Sequence, residues 1–421
     1  MSYLKGVFYN TPLNNNDIPQ ADLNIANKFR SNPLPWKGQF SPQLIEVIIK
    51  KYGHNATHIL DPFLGSGTSL LEAGTLGISA TGSEINPAAI LLAQTYENIN
   101  LTVEERECEI AKVSRMLNAT PELVQPILVP QETKSNPDKI KKKLLFIHDK
   151  FKSDKIALQL VQSLIILLDF YKSDLSAKKV QIEWNKLKKL IISLPFSLSP
   201  LKATLSDARK LSLIDNSIDF VITSPPYINV FNYHQQYRAS TEALVENILG
   251  VAKSEIGSNR KHRGNRFLTV IQYCLDMSLV FNELNRVCKN GTRVIFVVGK
   301  ESSVRKTRFF NGELVSEVAS VANGFDLVMR QERVFTNRFG QKIFEDILHF
   351  DSPSLPEDDS NVIDNARKIA HRVLFSAKKY APAESLDDLN AAILSIDNVS
   401  PSPFLNNEKF ENIIESRELV V

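Results

Sequence analysis

Cysteine is scarce in this chain: three residues in 421, Cys108, Cys274 and Cys288, unevenly spread. That number and spacing exclude a disulfide framework and a cysteine-ligated zinc site, so no metal is expected and a reducing, cytoplasmic setting fits. No apolar run approaches the roughly 18 residues of a membrane-spanning helix. The opening residues, MSYLKGVFYNTPLNNND, lack an apolar h-region, and no signal peptide is expected. An excess of charge is lacking too. Fifty Lys and Arg face 47 Asp and Glu, a net charge of +3. Overall charge therefore does not carry the chain to a polyanion, and any such contact must come from local patches. There is no phosphate-binding loop ending in Gly-Lys-Ser/Thr, and no internal repeat. What is present is the composition of an ordinary globular protein, 43% hydrophobic and 23% charged. The length suits one large domain with insertions, or two domains.

Two stretches carry chemistry. In 219–227, Asp-Phe-Val-Ile-Thr-Ser-Pro-Pro-Tyr, an apolar strand ends abruptly in Thr223-Ser224-Pro225-Pro226-Tyr227. Consecutive prolines fix φ twice and remove two N–H donors. The segment leaves the strand as a stiff loop that presents the Ser224 hydroxyl, carbonyl acceptors and the Tyr227 ring. It makes a wall for a flat polar ligand such as a base with an exocyclic amine; the plainer reading is a proline-terminated strand. Upstream, the strand Thr57–Asp61 runs into Asp61-Pro62-Phe63-Leu64-Gly65-Ser66-Gly67-Thr68 and then a helix. Small residues at 65–67 let the backbone approach a ligand, and the helix start offers free N–H groups. A second strand, 78–83, ends at Glu84, where a nucleoside-binding fold grips ribose hydroxyls. The alternative for Glu84 is an exposed strand-end charge.

The rest of the chain is read around these. Residues 1–33 are Asn-rich and aperiodic, an arm. A loop, 33–42, precedes a helix with Ser41 as N-cap and Gly53 as its closing residue. Residues 102–199 are helical in period and lysine-rich in places (Lys139, Lys141, Lys142, Lys143), which suggests an inserted helical subdomain. The lysine run is either a solvated face or a phosphate contact. Strands resume at 202–206 and 219–223. The segment 228–266 is polar and basic, with Arg238, Arg260, Lys261, Arg263 and Arg266 among amides and aromatics, residue types that contact bases and phosphates; the alternative is an exposed loop without a partner. A periodic helix ends near Lys289-Asn290-Gly291, with Gly291 as a left-handed cap. Strands follow at 292–298, 326–333 and 342–350, the last two joined as a hairpin by TNRFGQ. Residues 351–421 read as a Pro/Ser/acidic linker, a basic helix and a weakly patterned tail.

Together, Asp61-Pro62-Phe63-x-Gly65-Ser66-Gly67-Thr68 and Ser224-Pro225-Pro226-Tyr227 resemble the motifs of amino-group DNA methyltransferases that use S-adenosylmethionine and modify N4 of cytosine or N6 of adenine. The resemblance covers 34–101 and 200–350, the catalytic domain, with 228–266 as its DNA-recognition segment. It implies an α/β, Rossmann-like, seven-stranded class I methyltransferase sheet, here with a helical insert (102–199) and a C-terminal helical extension (351–421). It implies that Asp61, Phe63, Gly65, Ser66, Gly67 and Thr68 approach the methionine part of the cofactor, that Glu84 holds its ribose and that Asp207 and Ala208 border its adenine. Phe40 falls in the loop where the family has a further cofactor contact. Ser224, Pro225, Pro226 and Tyr227 would then be catalytic. Double-stranded DNA is the implied partner, together with a cognate restriction endonuclease acting on the same site.

The chemistry agrees with these residue types. An exocyclic amine is a weak nucleophile because its lone pair is delocalised into the ring. Acceptors at Ser224 and Pro225 favour its pyramidal form, and positioning supplies most of the acceleration. The target base must be flipped out of the duplex, and Tyr227 would stack on it. The absence of a Pro-Cys dipeptide argues against carbon-5 methylation, which needs a cysteine nucleophile. Serine before Pro-Pro-Tyr resembles the N4-cytosine group. The competing readings are an N6-adenine DNA methyltransferase, an RNA amino-group methyltransferase and a non-catalytic nucleic-acid-binding protein on the same scaffold.

Overall fold

Strand β1 (His58–Asp61) stands near the middle of a seven-stranded sheet, and the elements on either side of it fix where the two motifs lie. The computed structural model describes residues 6–124, 136–172, 174–228, 233–245, 248–258, 262–337, 340–353 and 359–405. The other strands are β2 (Ser79–Glu84), β3 (Leu201–Leu205), β4 (Ile218–Thr223), β5 (Cys288–Gly299), β6 (Glu301–Val304), β7 (Thr307–Phe310), β8 (Asp326–Thr336) and β9 (Lys342–Asp351). The sheet order is β3-β2-β1-β4-β5-β9-β8, and β6 and β7 form a separate hairpin. The first five strands are parallel; β9 runs antiparallel to both β5 and β8. This is the Rossmann-like order with one reversed strand, and the direction of winding reverses between β1 and β4. Loops leaving the carboxyl ends of those two strands diverge and leave a crevice. The glycine turn follows β1 and Ser224–Tyr227 follows β4, so the two motifs face each other across it.

Strands buried on both faces read as continuous apolar runs. Along β5, Ile295 and Val297 enter one core, while Val294, Phe296 and Val298 enter the other. The first core is covered by the helix Pro42–Tyr52, the helix Thr68–Thr75 and the insert. The second is covered by Leu268–Val287 and Asp359–Ala377. The insert comprises Val103–Asn118, Pro137–Lys150, Lys155–Leu168 and Ala177–Ser193. Its two ends are stitched by buried Arg106, whose guanidinium donates to the carbonyls of Asn98, Ile99, Leu194 and Pro195. Lys139 and Lys143 pair with Glu122, and Lys141 with Asp138. The acids beside this lysine run favour a solvated face over a phosphate contact.

Several local expectations are corrected. Ser41 precedes the helix Pro42–Tyr52 but makes no capping bond; its Oγ is buried without a partner. Gly53 closes that helix as expected, at φ −110°, with the Phe220 ring 3.1 Å from where a Cβ would lie. Lys289-Asn290-Gly291 is no helix cap. The helix ends at Val287, β5 begins at once, and Gly291 (φ +71°) sits in a bulge where the pairing jumps from Ile218–Cys288 to Phe220–Arg293. Residues 6–33 are not an irregular arm: Leu13 bridges to Arg330, and Asn14, Gln20 and Asn24 hydrogen-bond the backbone of β8. This covers the open edge of the sheet. The C-terminal helix starts at Asp359, inside the expected linker, and buries Ala366, Ile369, Ala370, Val373 and Leu374 against the second core. No described helix is long and apolar enough to cross a membrane.

Candidate active site

The site is built from the end of β1 outward. Asp61 is buried, 2% exposed. Its carboxylate accepts from Ser69 Oγ (2.5 Å), from Thr223 Oγ1 (2.6 Å) and from the Phe63 amide (3.0 Å). One side chain thus ties the end of β1 to the glycine turn, to the following helix and to the end of β4. Burial outweighs these hydrogen bonds and pushes its carboxyl up to about 6. Asp61 lies beneath the crevice and does not line it. Gly67 also serves packing: at φ +94°, a Cβ would meet Tyr96 at 2.8 Å. The Ser66 hydroxyl turns to Gln39 (2.9 Å). Of the six glycine-turn residues expected at the cofactor, Phe63, Gly65 and Thr68 line the crevice, and Asp61, Ser66 and Gly67 support them.

The inner pocket lies between the glycine turn, the end of β2 and the Ser224–Pro226 loop. Glu84 lines it. Its Oε2 accepts the Gly65 amide (3.0 Å), and its Oε1 accepts those of Ile85 (2.9 Å) and Asn86 (3.0 Å). Burial, with nearby Glu255 adding to it, pushes this carboxyl up to about 7. Three bonds leave acceptor capacity on Oε2 for a hydroxyl donor. Ile85, Ala208, Phe40 and Phe63 add apolar surface to the lining. Asp207 is present in the lining, but its carboxylate is held by Arg209 through Nε (2.9 Å) and Nη2 (2.7 Å). Arg209 in turn reaches Asp276 (2.7 Å) and the carbonyls of Ser402 and Pro403, while the Leu405 amide returns to Asp207 (3.1 Å). The tail, read as weakly patterned, is therefore clasped behind the pocket wall.

A lid closes over the pocket from two segments. Trp36–Phe40 forms one; Tyr233, Ser254, Glu255 and Ile256 form the other. Tyr237 Oη donates to the Pro35 carbonyl (3.0 Å), and the Tyr237 ring stacks on Trp36 at 6.3 Å. Glu255 is held by His234, at its amide (2.7 Å) and Nδ1 (2.8 Å). Tyr233 is among the aromatics of the 228–266 segment, but nothing in the sequence pattern marked Glu255 or the Arg209 clasp, because each acts through a partner distant in the chain.

Ser224 occupies a singular place. Gly38, Gln39, Phe40, Ser224 and Tyr233 line both the inner pocket and a wider outer groove. Pro226 faces inward, and Pro225 and Tyr227 face the groove. Ser224 Oγ lies 3.4 Å from Tyr227 Oη. The Tyr227 ring rests on Gly299, where a Cβ would be 2.9 Å from Cε2; burial raises its phenol well above the usual range. Of the basic residues expected at DNA, Arg238 begins the helix Arg238–Leu244 and pairs with Glu242 at 2.7 Å. Arg263 and Arg266 lie just before the helix Leu268–Val287. Arg260 and Lys261 lie outside the described residues. Arg238, Arg263 and Arg266 line neither the inner pocket nor the groove. Among the described residues, no cluster of ligating side chains could hold a metal ion.

Comparison with known proteins adds to this geometry. The family model described as DNA methylase (the N6/N4 type) matches residues 10–95. The chain is 36% identical to the Type II methyltransferase M.MjaII of Methanocaldococcus jannaschii over 92 residues, 21% of this chain and only 16% of that protein. It is 24% identical to the Type II methyltransferase M.BsoBI of Geobacillus stearothermophilus, over 65% of this chain and 74% of that protein. A solved SAM-dependent methyltransferase of Methanosarcina mazei matches with 14% identity and a TM-score of 0.30, covering 70% of this chain and 92% of that one. The rRNA methyltransferase aviRa of Streptomyces viridochromogenes matches with 10% identity and a TM-score of 0.29, covering 79% and 90%. With its two motifs facing across the β1/β4 crevice and these sequence matches, the chain is similar to the amino-group DNA methyltransferases of the N4/N6 kind.

Proposed function

We propose that this protein is a site-specific DNA methyltransferase that modifies the exocyclic N4 amine of a flipped cytosine. The observation that carries the reading is the position of Ser224, shared by the inner pocket and the wider outer groove. A group held in the groove and a group held in the pocket would both border Ser224.

The family's cofactor is S-adenosylmethionine, and the inner pocket fits it. Three carboxylates, Glu84, Asp207 and Glu255, line the pocket with one lysine, Lys37; Asp207 is neutralised by Arg209, and the remaining acids suit a ligand that carries a sulfonium and an ammonium. Glu84 would hold the ribose hydroxyls, Ile85 and Ala208 would border the adenine, and Gly65 and Thr68 would face the methionine end. Bound there, the cofactor supplies an electrophilic methyl group on positively charged sulfur. The protein's own residues do the rest. Ser224 Oγ and the Pro225 carbonyl accept the two amine N–H bonds, which draws the nitrogen toward a pyramidal form and turns its lone pair inward. The proline pair holds these acceptors rigidly, so little reorganisation accompanies the reaction. Tyr227 offers a ring in the groove against which a base can stack. Asp61 is a positioning residue: it fixes the two loops to each other.

The relatives are Type II methyltransferases by name, which supports a role in protecting DNA from a cognate endonuclease. Serine at 224 supports cytosine over adenine. Methylation-sensitive sequencing of DNA from cells that express the chain tests the proposal. N4-methylcytosine at one recurrent sequence is the expected result; unmodified DNA, or modified RNA alone, would overturn it.

A further inference from the structure

We infer that Arg333 reads the target base, as the residue that selects cytosine in the outer groove. The inference rests on the cytosine reading above and deepens it.

The placement follows from sheet register. Gly299, which supports the Tyr227 ring, pairs with Glu345 of β9, and Glu345 pairs with Arg333 of β8. Residues directly opposite across strands share a face. Arg333 therefore lies two strands from the Tyr227 platform, in the same row, at the mouth of the same groove. It lines that groove together with Ser224, Pro225 and Tyr227. The guanidinium is built in, with 6% of the residue exposed. It stacks 4.4 Å from the centroid of the Phe335 ring, and its Nε lies 2.7 Å from Glu345 Oε2. The alignment is poor, however, and both Nε and Nη1 are buried without a hydrogen-bond acceptor.

An arginine cannot shed its proton, and buried donors without acceptors are costly to keep. A structural ion pair would be expected to satisfy them. Here two donors lie buried behind the groove wall, and a turn of the guanidinium away from Glu345 would offer them to an acceptor that enters the groove. Along the edge of cytosine, the amine at C4 is followed by N3 and then O2, two acceptors in a row that a planar guanidinium matches with two N–H groups. Beside its amine, adenine presents N1 and then a C–H, a single acceptor. With the amine on Ser224 and Pro225, Arg333 meets two acceptors on cytosine and one on adenine. A phosphate would also accept from it, and the test separates the two.

The experiment compares wild type, Arg333→Gln and the double variant Arg333→Gln/Glu345→Gln, which leaves no orphaned carboxylate. Labelled methyl transfer to unmethylated duplex DNA is measured, together with S-adenosylmethionine affinity and the salt dependence of DNA binding. The expected result is a loss of about 10- to 100-fold in methylation of cytosine in both variants, with cofactor affinity and salt slope unchanged. A salt slope reduced by about one unit would assign Arg333 to a phosphate and overturn the inference. So would unchanged rates, or a double variant that regains wild-type rate, since either makes the pair structural. If wild type itself produces N6-methyladenine, the cytosine reading fails first; if wild type produces N4-methylcytosine and the variants match it, only the role of Arg333 fails.

Discussion

Asp61→Asn should separate stability from activity, with a sign set by burial. The Asp61 carboxyl titrates at about 6 in the folded protein, against an ordinary 3.8. Its folded pKa is raised, so its stabilising contribution is present below pH 3.8 and is lost as pH rises through 6. Two-state linkage with these two values gives a loss of about 1.4 kcal/mol between pH 5 and pH 8. Asparagine carries no such dependence. Urea unfolding of both proteins at the two pH values should show the variant gaining about 1.4 kcal/mol relative to wild type on going to pH 8. Its methyl transfer should fall all the same, because Thr223 and Ser69 lose a charged acceptor and the loops carrying Gly65 and Ser224 lose their common anchor. A stability difference that does not change with pH, or that moves against the variant, would refute the assignment of Asp61 as a desolvated carboxylate beneath the site.

Ser224→Ala should retain S-adenosylmethionine affinity in calorimetry and lose about 100- to 1,000-fold in kcat, the usual effect of removing one positioned hydrogen-bonding group; parallel loss of both would make the loop merely structural. Glu84, with its carboxyl near 7, accepts a ribose hydroxyl best when ionised. Cofactor affinity should therefore rise about tenfold from pH 6 to pH 8, and Glu84→Gln should bind weakly and flatly across that range; a flat wild-type profile would contradict the role. Arg209→Ala strands the buried acids Asp207 and Asp276 and should cost about 3–5 kcal/mol in urea unfolding. A loss below about 1 kcal/mol would show that the tail clasp is not a structural tie.

The seven strands and both motifs were legible because each motif sits where an apolar run stops, and a doubly buried strand announces itself by its run. Roles within the motifs were less legible. Ser66 and Gly67 read as ligand-facing by composition, yet Gly67 answers to Tyr96 and Ser66 to Gln39, both remote in sequence. The β6–β7 hairpin escaped notice because its turn uses Arg305 and Lys306 at positive φ (48° and 61°) where Asn-Gly would signal it. Ser385, Asp388 and Glu384 hold that turn instead. The N-terminal residues bind the edge of β8 through backbone groups and scattered polar side chains, which leave no periodicity. The clasp of Arg209 on 402–405 joins residues nearly two hundred positions apart.

The central claim is that Ser224 presents a cytosine amine to a methyl donor. Purified protein, methyl-labelled S-adenosylmethionine and unmethylated duplex DNA, followed by digestion and nucleoside analysis, test it most directly. The label should appear in N4-methylcytosine and vanish with Ser224→Ala. Label in N6-methyladenine alone, or label that survives the Ser224 substitution undiminished, would contradict it.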